Sequence, residues 1–314
     1  MRSIGFVIAS GFQMMSFAAL SVFEFANLTS TEALYSVRLV SETGGQLSSS
    51  LGIPVQTHAF DDRIFDTLIV SGGLGSVPVT PSVVSFVQTA MQNSRRVASI
   101  CTGAFVLAEA GILDGRRATT HWLSARELQT RFPKVKVDED KIYIIDGSVW
   151  TSAGASAGID LALGMVERDA GPDVARLVAK KLVLYHRRAG GQSQHSALLE
   201  LDPKSDRIQN ALAYAKRNMH AALSVEQLAH AANLSPRQFS RTFRAETGQS
   251  PAKAIENLRV EAARSMMEEG RHSIDEVANE TGFADRERMR RAFLRAFGQP
   301  PQAIRRSFRA EMSA

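Results

Sequence analysis

Apolar residues in the first half of the chain come in short runs. Ile4 to Ala9, Thr67 to Val70 and Val97 to Ile100 end in Ser10-Gly11, Ser71-Gly72-Gly73 and Cys101-Thr102-Gly103. Runs of that length bounded by turn residues predict buried strands, and Tyr35 to Ser41 alternates as a further strand would. Phe12 to Asn27 and Pro81 to Asn93 have the pattern of helices, and another helix follows Cys101. Strand alternating with helix predicts a doubly wound α/β domain, with a parallel sheet and helices on both faces. Beyond Trp122 the pattern predicts a helix over Ser124 to Phe132, closed by Pro133. Strands follow over Lys134 to Val137, Lys141 to Ile145 and Val149 to Thr151, with a turn at Asp146-Gly147. Gly158 to Arg168 and Pro172 to His186 then read as helices. Their Leu161, Val166, Leu177, Val178 and Leu182 are placed to pack on the sheet or to form a dimer face.

The pattern changes after residue 188. Residues 189 to 205, AGGQSQHSALLELDPKS, have the Gly, Gln and Ser content of a linker. Beyond them the chain is helical throughout. Asp206 to His220 opens it, and a duplicated stretch from Ser224 to Pro301 organises it. SVEQLAHAANLSPRQFSRTFRAETGQSP recurs as SIDEVANETGFADRERMRRAFLRAFGQPP. The offset is 49 as far as Leu234 against Phe283 and 50 from Phe239 against Met289, so one residue enters the second copy. A repeat of this period is one supersecondary unit used twice. Ser224 with Gln227 and Ser273 with Glu276 are spaced as capping boxes. Asn233 and Gly282 sit where a first helix must stop, both tolerant of positive φ. Ser235-Pro236 opens a second helix with Phe239 and Phe243 on one face. Ala252 to Met267 has the length of one rigid connecting helix, roughly 24 Å at 1.5 Å per residue. The chain thus predicts three parts: an α/β domain over 1–188, a linker over 189–205, and an all-α domain with two helix-turn-helix units over 206–314.

Charge supports that division. The chain holds 37 basic and 32 acidic residues, a net of +5. Ser205 to Ala314 holds 18 and 13 of these, which leaves 19 of each sign and no net charge on the rest. All the excess positive charge therefore lies where the paired helix-turn-helix units would meet DNA phosphates. No apolar stretch has the length of a membrane span, and the start, MRSIGFVIASGF, lacks the basic cluster and cleavage site of a signal peptide. The single cysteine excludes an internal disulfide and suits a reducing cytoplasm. No Cys/His spacing calls for a metal, and no cofactor is expected.

The repeat, above all TGFADRERMRRAFLRAFGQPP from Thr281, resembles the DNA-binding domain of the AraC/XylS family of bacterial transcription regulators, over about Asp206 to Phe308. Carried over by position, the first reading helix would meet double-stranded promoter DNA through Arg237, Ser240 and Arg241, with Arg244 beside them. The second would use Arg286, Glu287 and Arg291. Arginine pairs bidentately with guanine edges in the major groove. Glu287 would accept from a cytosine amino group or pair with Arg291 four residues on. Contact with RNA polymerase, and activation more often than repression, come with the resemblance.

LIVSGG from Leu68, ASICTGAFVLAEAGILDGRRATTHW from Ala98 and DGSVWTSAGASAGIDLALGMVERDAG from Asp146 resemble the PfpI family of class I glutamine-amidotransferase-like domains, over Ile4 to about Gln194. The resemblance implies a flavodoxin-like sheet. It places the enzymes' nucleophile at Cys101, on a sharp strand-to-helix turn, and their histidine at His121. Their glutamate position holds Ser16, a departure that counts against catalysis. A helix start after Cys101 would favour a thiolate and offer backbone N–H groups to a carboxylate. Amidotransferase-like domains joined to AraC-type domains form a recognisable group of regulators. In that group the first domain senses a small, nitrogen-containing metabolite without turning it over, and dimerisation through that domain is expected. The expected pocket comprises Gly11, Phe12, Gly72, Gly73, Cys101, Thr102, Phe105, His121, Trp122, Ser152 and Gly154, with Phe12, Phe105 and Trp122 offering ring faces to a cationic head. Two alternatives keep chemistry at this point: hydrolase or glyoxalase-like activity of Cys101 and His121, or redox sensing through Cys101.

Overall fold

The computed structural model describes residues 1–73, 79–154, 156–184, 188, 190, 194, 201–268 and 272–306. The chain divides into two compact units, Met1–Gln194 and His195–Ser313.

The first unit is built on eight strands: β1 (Arg2–Val7), β2 (Tyr35–Ser41), β3 (Thr43–Ser48), β4 (Pro54–Ala59), β5 (Thr67–Val70), β6 (Arg96–Ile100), β9 (Tyr143–Asp146) and β10 (Val149–Ser152), in the order β3-β4-β2-β1-β5-β6-β10-β9. A separate parallel pair joins β7 (Arg117–Ala118) to β8 (Lys136–Val137). The sheet is parallel from β4 to β10, and β3 and β9 run antiparallel at its two edges. β1 pairs with β2 on one side and β5 on the other, so the strand order reverses there. Such a switch point leaves a crevice beyond the carboxyl ends of the strands. Alternation along each central strand feeds two cores. Ile4, Phe6, Ile69 and Ile100 pack toward α1 (Ala18–Asn27), α5 (Ser156–Ala170) and α6 (Pro172–Lys181). Val7, Leu68, Val70 and Val97 pack on the other face, the side of α2 (Pro81–Asn93), α3 (Gly103–Glu109) and α4 (Trp122–Arg131).

Three sequence expectations change here. The helix foreseen from Phe12 starts later, because Phe12 forms a bridge to Gly73. A 3-10 turn over Met14–Phe17 then leads into α1. β3 and β4 extend the sheet where mostly exposed side chains left little apolar signal. Leu161, Val166 and Val178 are buried in the core shared with α1, while Leu177 stays exposed. The end of the helix expected to reach His186 lies outside the described residues.

At the amino ends of the strands lies an ion cluster that the sequence did not signal. Asp169, at the end of α5, accepts from Arg95 Nη1 at 2.7 Å, from Tyr35 Oη at 3.0 Å and from Arg96 Nη2. Its side chain is only 2% exposed and that of Arg96 only 3%. The Arg96 guanidinium also lies 5.2 Å above the Trp150 ring, a cation–π contact.

The second unit holds α7 (Asp206–Arg217), α8 (Val225–Ala231), α9 (Pro236–Thr247), α10 (Pro251–Glu268), α11 (Ile274–Glu280) and α12 (Arg286–Phe297). Both expected capping boxes form, and Ser235 with Gln238 makes a third. Asn233 and Gly282 take φ of 52° and 74° at the ends of the first helices. The residue inserted in the second copy is Ala284, itself at φ 64°, which lets Asp285 cap α12. The 18-residue α10 divides its buried face between two cores. Ala254, Ile255 and Leu258 pack with Phe239 and Phe243, and Val260, Ala263 and Met267 pack with Met289 and Phe293. One helix thus carries both helix-turn-helix units, the connecting helix that the length of the stretch from Ala252 to Met267 allowed.

Candidate functional site

At the carboxyl ends of β1, β5 and β6 the chain turns tightly around Cys101. Cys101 has φ 56°, the strained conformation of a nucleophile elbow. Its N–H donates to Ser152 O at 2.9 Å and its carbonyl accepts from Thr120 Oγ1 at 2.8 Å. Thr102 Oγ1 holds Gly73 from both sides, accepting from its N–H at 3.0 Å and donating to its carbonyl at 3.1 Å. Gly154 packs directly on the cysteine, and a Cβ there would lie 2.2 Å from Cys101 Cβ and 2.9 Å from its Sγ. Only glycine fits a backbone that approaches so closely at φ 86°.

The elbow is real, but it is not primed as a thiolate. Cys101 is 7% exposed. Burial pushes its thiol up, and hydrogen bonds from Thr102 only partly oppose that. This reverses the expectation of a thiolate at the helix start. Nor are the following amides all open to a carboxylate, since Ala104 N and Phe105 N donate to Cys101 O and Thr102 O.

Of the expected pocket residues, Phe12, Gly72, Gly73, Thr102 and Phe105 line one small cavity of about 60 Å³ with Ser10 and their neighbours. Gly11, between Ser10 and Phe12, does not line it; its φ is 79° and its N–H donates to Ser48 O. Ser152 is fully buried behind the elbow and bonds to Ser99 O. The aromatic cage does not form. Phe12 is buried against Phe17 with centroids 5.0 Å apart, and Phe105 is buried with Arg131's guanidinium 5.2 Å from its ring. Trp122 is 46% exposed and stacks on His121. Phe12 and Phe105 serve the core, because an apolar ring at a strand end gains more from burial than from waiting for a cation, while Trp122 lies at the surface against His121. His121 caps α4, its Nδ1 accepting from Leu123 N at 3.3 Å. Ser16 is buried in the 3-10 turn.

On the second unit, Arg237, Arg241 and Arg244 project from α9, exposed and without an ion pair among the described residues. Ser240 Oγ donates back to Pro236 O at 2.9 Å, so its hydroxyl is partly spent on the helix. On α12, Arg286 pairs with Asp275 at 2.9 Å, both side chains more than 60% exposed. Glu287 pairs with Arg290, three residues on, at 2.9 and 3.1 Å rather than with Arg291. Arg291 instead lines a groove of about 450 Å³ with Arg288, Arg295, Arg259 and Glu256. A pair as exposed as Arg286–Asp275 is worth about 0–1 kcal/mol and is easily released. Arg241→Ala should therefore weaken specific DNA binding by about 1–3 kcal/mol and relax sequence preference. Asp275→Asn should tighten binding a few-fold by freeing Arg286 and removing a repelling carboxylate. Fluorescence anisotropy on a selected duplex measures both, and unchanged affinity in both would remove these helices from the groove.

A cysteine elbow at the carboxyl ends of a parallel sheet, joined to two helix-turn-helix units on one helix, defines a two-domain transcription regulator. Residues 2–168 match the DJ-1/PfpI family, and residues 228–307 match a helix-turn-helix domain family. The HTH-type transcriptional regulator GbdR of Pseudomonas aeruginosa is 30% identical over 307 residues, which span 96% of this chain and 83% of GbdR. The HTH-type transcriptional regulator GlxA of Rhizobium meliloti is 29% identical, over 97% of this chain and 96% of GlxA. An AraC family transcriptional regulator structure from Pseudomonas putida superposes with a TM-score of 0.54 at 23% identity. It covers 58% of this chain and 100% of its own, a likeness of fold. The isonitrile hydratase of Pseudomonas putida is 35% identical over 150 residues, 46% of this chain and 64% of the enzyme. The chain belongs to the DJ-1/PfpI family and, across nearly its whole length, to the HTH-type transcriptional regulators that carry such a domain. No helix among the described residues is long and apolar enough to cross a membrane.

Proposed function

We propose that this regulator works in the cytoplasm as a homodimeric activator whose first unit binds a small, nitrogen-containing metabolite without turning it over. The metabolite's small polar end enters at the cavity beside Thr102 and Gly73. At about 60 Å³ that space suits a carboxylate or an ammonium head, the size of about two waters. Occupancy changes the relative stability of two states of the chain and so its engagement of promoter DNA and RNA polymerase. The observation that carries the non-catalytic reading is the burial of Cys101, 7% exposed at the elbow, in a chain whose resemblance to the enzymes puts Ser16 at their glutamate position.

Both tryptophans lie in the first unit, so intrinsic fluorescence follows its unfolding in the full chain. In a thermal screen of amino acids, polyamines and quaternary amines, a ligand at one hundred times its Kd stabilises by about 2.7 kcal/mol. For a unit of this size that is a rise of roughly 5–10 °C in Tm. The rise should shrink in Thr102→Val. A screen without hits on a chain that binds DNA fully would leave the first unit without a sensing role. The second reading, an enzyme, is favoured by the strained Cys101 elbow and by the similarity to isonitrile hydratase. Under it, Cys101→Ser abolishes turnover of an isonitrile, amide or glyoxal substrate. Absence of turnover in the wild-type chain rejects it.

A further inference from the structure

The linker composition after residue 188 conceals a docked side chain. Gln194 Nε2 donates to Thr120 O at 2.8 Å, Glu139 O at 2.9 Å, Lys141 O at 3.1 Å and Thr119 Oγ1 at 3.2 Å. Its Oε1 accepts from Trp122 N at 2.9 Å, and its backbone N–H donates to Asp140 O at 3.0 Å. A glutamine amide has two N–H donors and one carbonyl, and here all are engaged. It acts as a substitute peptide group, bridging the segment at 119–122 to the segment at 139–141.

The bridged segment is the one that holds the elbow. Thr120 Oγ1 donates to Cys101 O at 2.8 Å, while the carbonyl of the same Thr120 is Gln194's shortest acceptor. Thr120 is therefore held by Cys101 on one side and Gln194 on the other, and His121, next in the chain, caps α4. Beside Ser152 O and Gly154, Thr120 is thus a direct contact of the elbow, and the group on its far side is the amide of Gln194.

Gln194 also sets the length of the tether. Six residues separate it from Leu201, which is 1% exposed in the core with Ile208, Leu228 and Phe239. The next firm side-chain anchor on the other side is Arg188, whose guanidinium and N–H bind Asp160 at 2.7–3.0 Å. With Gln194 docked, seven peptide steps separate it from Leu201, a reach of at most about 25 Å; with it released, the backbone is next held at Gly190, whose carbonyl accepts from Tyr143 N at 3.4 Å, and eleven steps allow about 40 Å. Lengthening a tether lowers the effective concentration at which one module meets its site once the other is held.

We infer that Gln194 is the latch through which the state of the Cys101 site is passed to the DNA-binding unit. The inference rests on the regulatory reading of that site and names the residue that transmits it. It needs no ligand to test. A duplex is selected by the full chain from a randomised pool, and its Kd is measured for the wild type, Thr120→Val, Gln194→Ala and the double variant. Thr120→Val removes the hydroxyl from Cys101 O and should change affinity at least threefold. In the Gln194→Ala background the same substitution should change it less than 1.5-fold, so the two effects fail to add. Thr120→Ser keeps the hydroxyl and should bind as wild type. Gln194→Glu keeps the acceptor for Trp122 N but loses both donors, and should behave as Gln194→Ala. Additive effects, or a Thr120→Val chain that binds as wild type, would overturn the latch. Failure of the wild-type chain to select any sequence would instead overturn the DNA-binding reading itself.

Discussion

Asp169→Ala is expected to lower the stability of the first unit by about 3–5 kcal/mol, the cost of leaving a buried charge without its partner. The charge left behind is Arg96. Its side chain is 3% exposed, its Nη1 already lacks a hydrogen-bond partner, and Asp169 is its direct counter-ion. Arg95 and Arg2 also face Asp169 but reach water, so they can be solvated once the carboxylate is gone. Urea unfolding of the full chain followed by tryptophan fluorescence reads the effect, because Trp122 and Trp150 both lie in this unit. Trp150 sits under Arg96 and so reports from the cluster itself. A change below about 1 kcal/mol would mean that water reaches Arg96 freely. The double variant Asp169→Leu with Arg96→Met should cost less than Asp169→Ala, because it removes both charges together.

The same cluster fixes the sign of the acid response. Burial by itself would raise the Asp169 carboxyl. The hydrogen bond from Arg95 and the charge of Arg96 outweigh it and hold the group below the usual carboxylate range. Asp66 is lowered in the same way, with burial opposed by Arg95. An unfolded Asp titrates near about 3.9. The stabilisation is therefore whole at neutral pH and is lost as pH falls from about 4 through the depressed folded values. Wild-type stability should fall more steeply in that window than that of Asp169→Ala.

Local chemistry was legible in the sequence wherever one stretch carried the whole signal. The capping boxes at Ser224 and Ser273, the stops at Asn233 and Gly282 and the helix start at Pro236 each depend on a few neighbouring residues, and all stand as read. The bounds of β5 and α2 were likewise read to the residue. What failed depended on distance. Asp169 meets Tyr35 across 134 positions and Arg95 across 74, and no periodicity links them. Phe12 and Phe105 looked available because a sequence shows ring type and not what lies over the ring. Phe17 and Arg131 lie there. Gln194 sits in a stretch whose composition suits solvent, yet its amide is docked because two backbone segments present carbonyls at the right spacing. Glu287 lies within reach of both Arg290 and Arg291, and the structure selects Arg290.

Gly282→Ala should disable DNA binding through the same kind of distant contact. The sequence marks Gly282 only as a helix stop, and its φ of 74° fits that role. The structure adds a second demand. A Cβ at Gly282 would lie 2.1 Å from Met219 O and 2.8 Å from Arg259 Nη2. Met219 belongs to the loop between α7 and α8 and packs against the core of the first helix-turn-helix unit, whereas Gly282 is the turn of the second. Arg259, from the shared helix α10, ties them by donating to Met219 O at 3.3 Å and Ala221 O at 2.7 Å. An alanine must therefore push one unit away from the other, or pull Arg259 off its two carbonyls. Positive-φ strain costs about 1–3 kcal/mol, and overpacking against fixed backbone adds about 1–3 kcal/mol. Each unit keeps its own core, so circular dichroism should still report folded helices at a reduced Tm. The separation of the two reading helices, about 34 Å for successive major grooves, is what should be lost. Without simultaneous engagement, affinity for a two-groove site falls by the linkage factor, about 10²–10⁴. Gly298→Ala supplies the control, since φ there is 66° and nothing lies within 4 Å of the added methyl. It bears strain without collision, and its loss of affinity should stay within about tenfold. Equal losses in the two variants would mean that backbone strain alone acts and that the Met219–Arg259–Gly282 contact does not set the spacing.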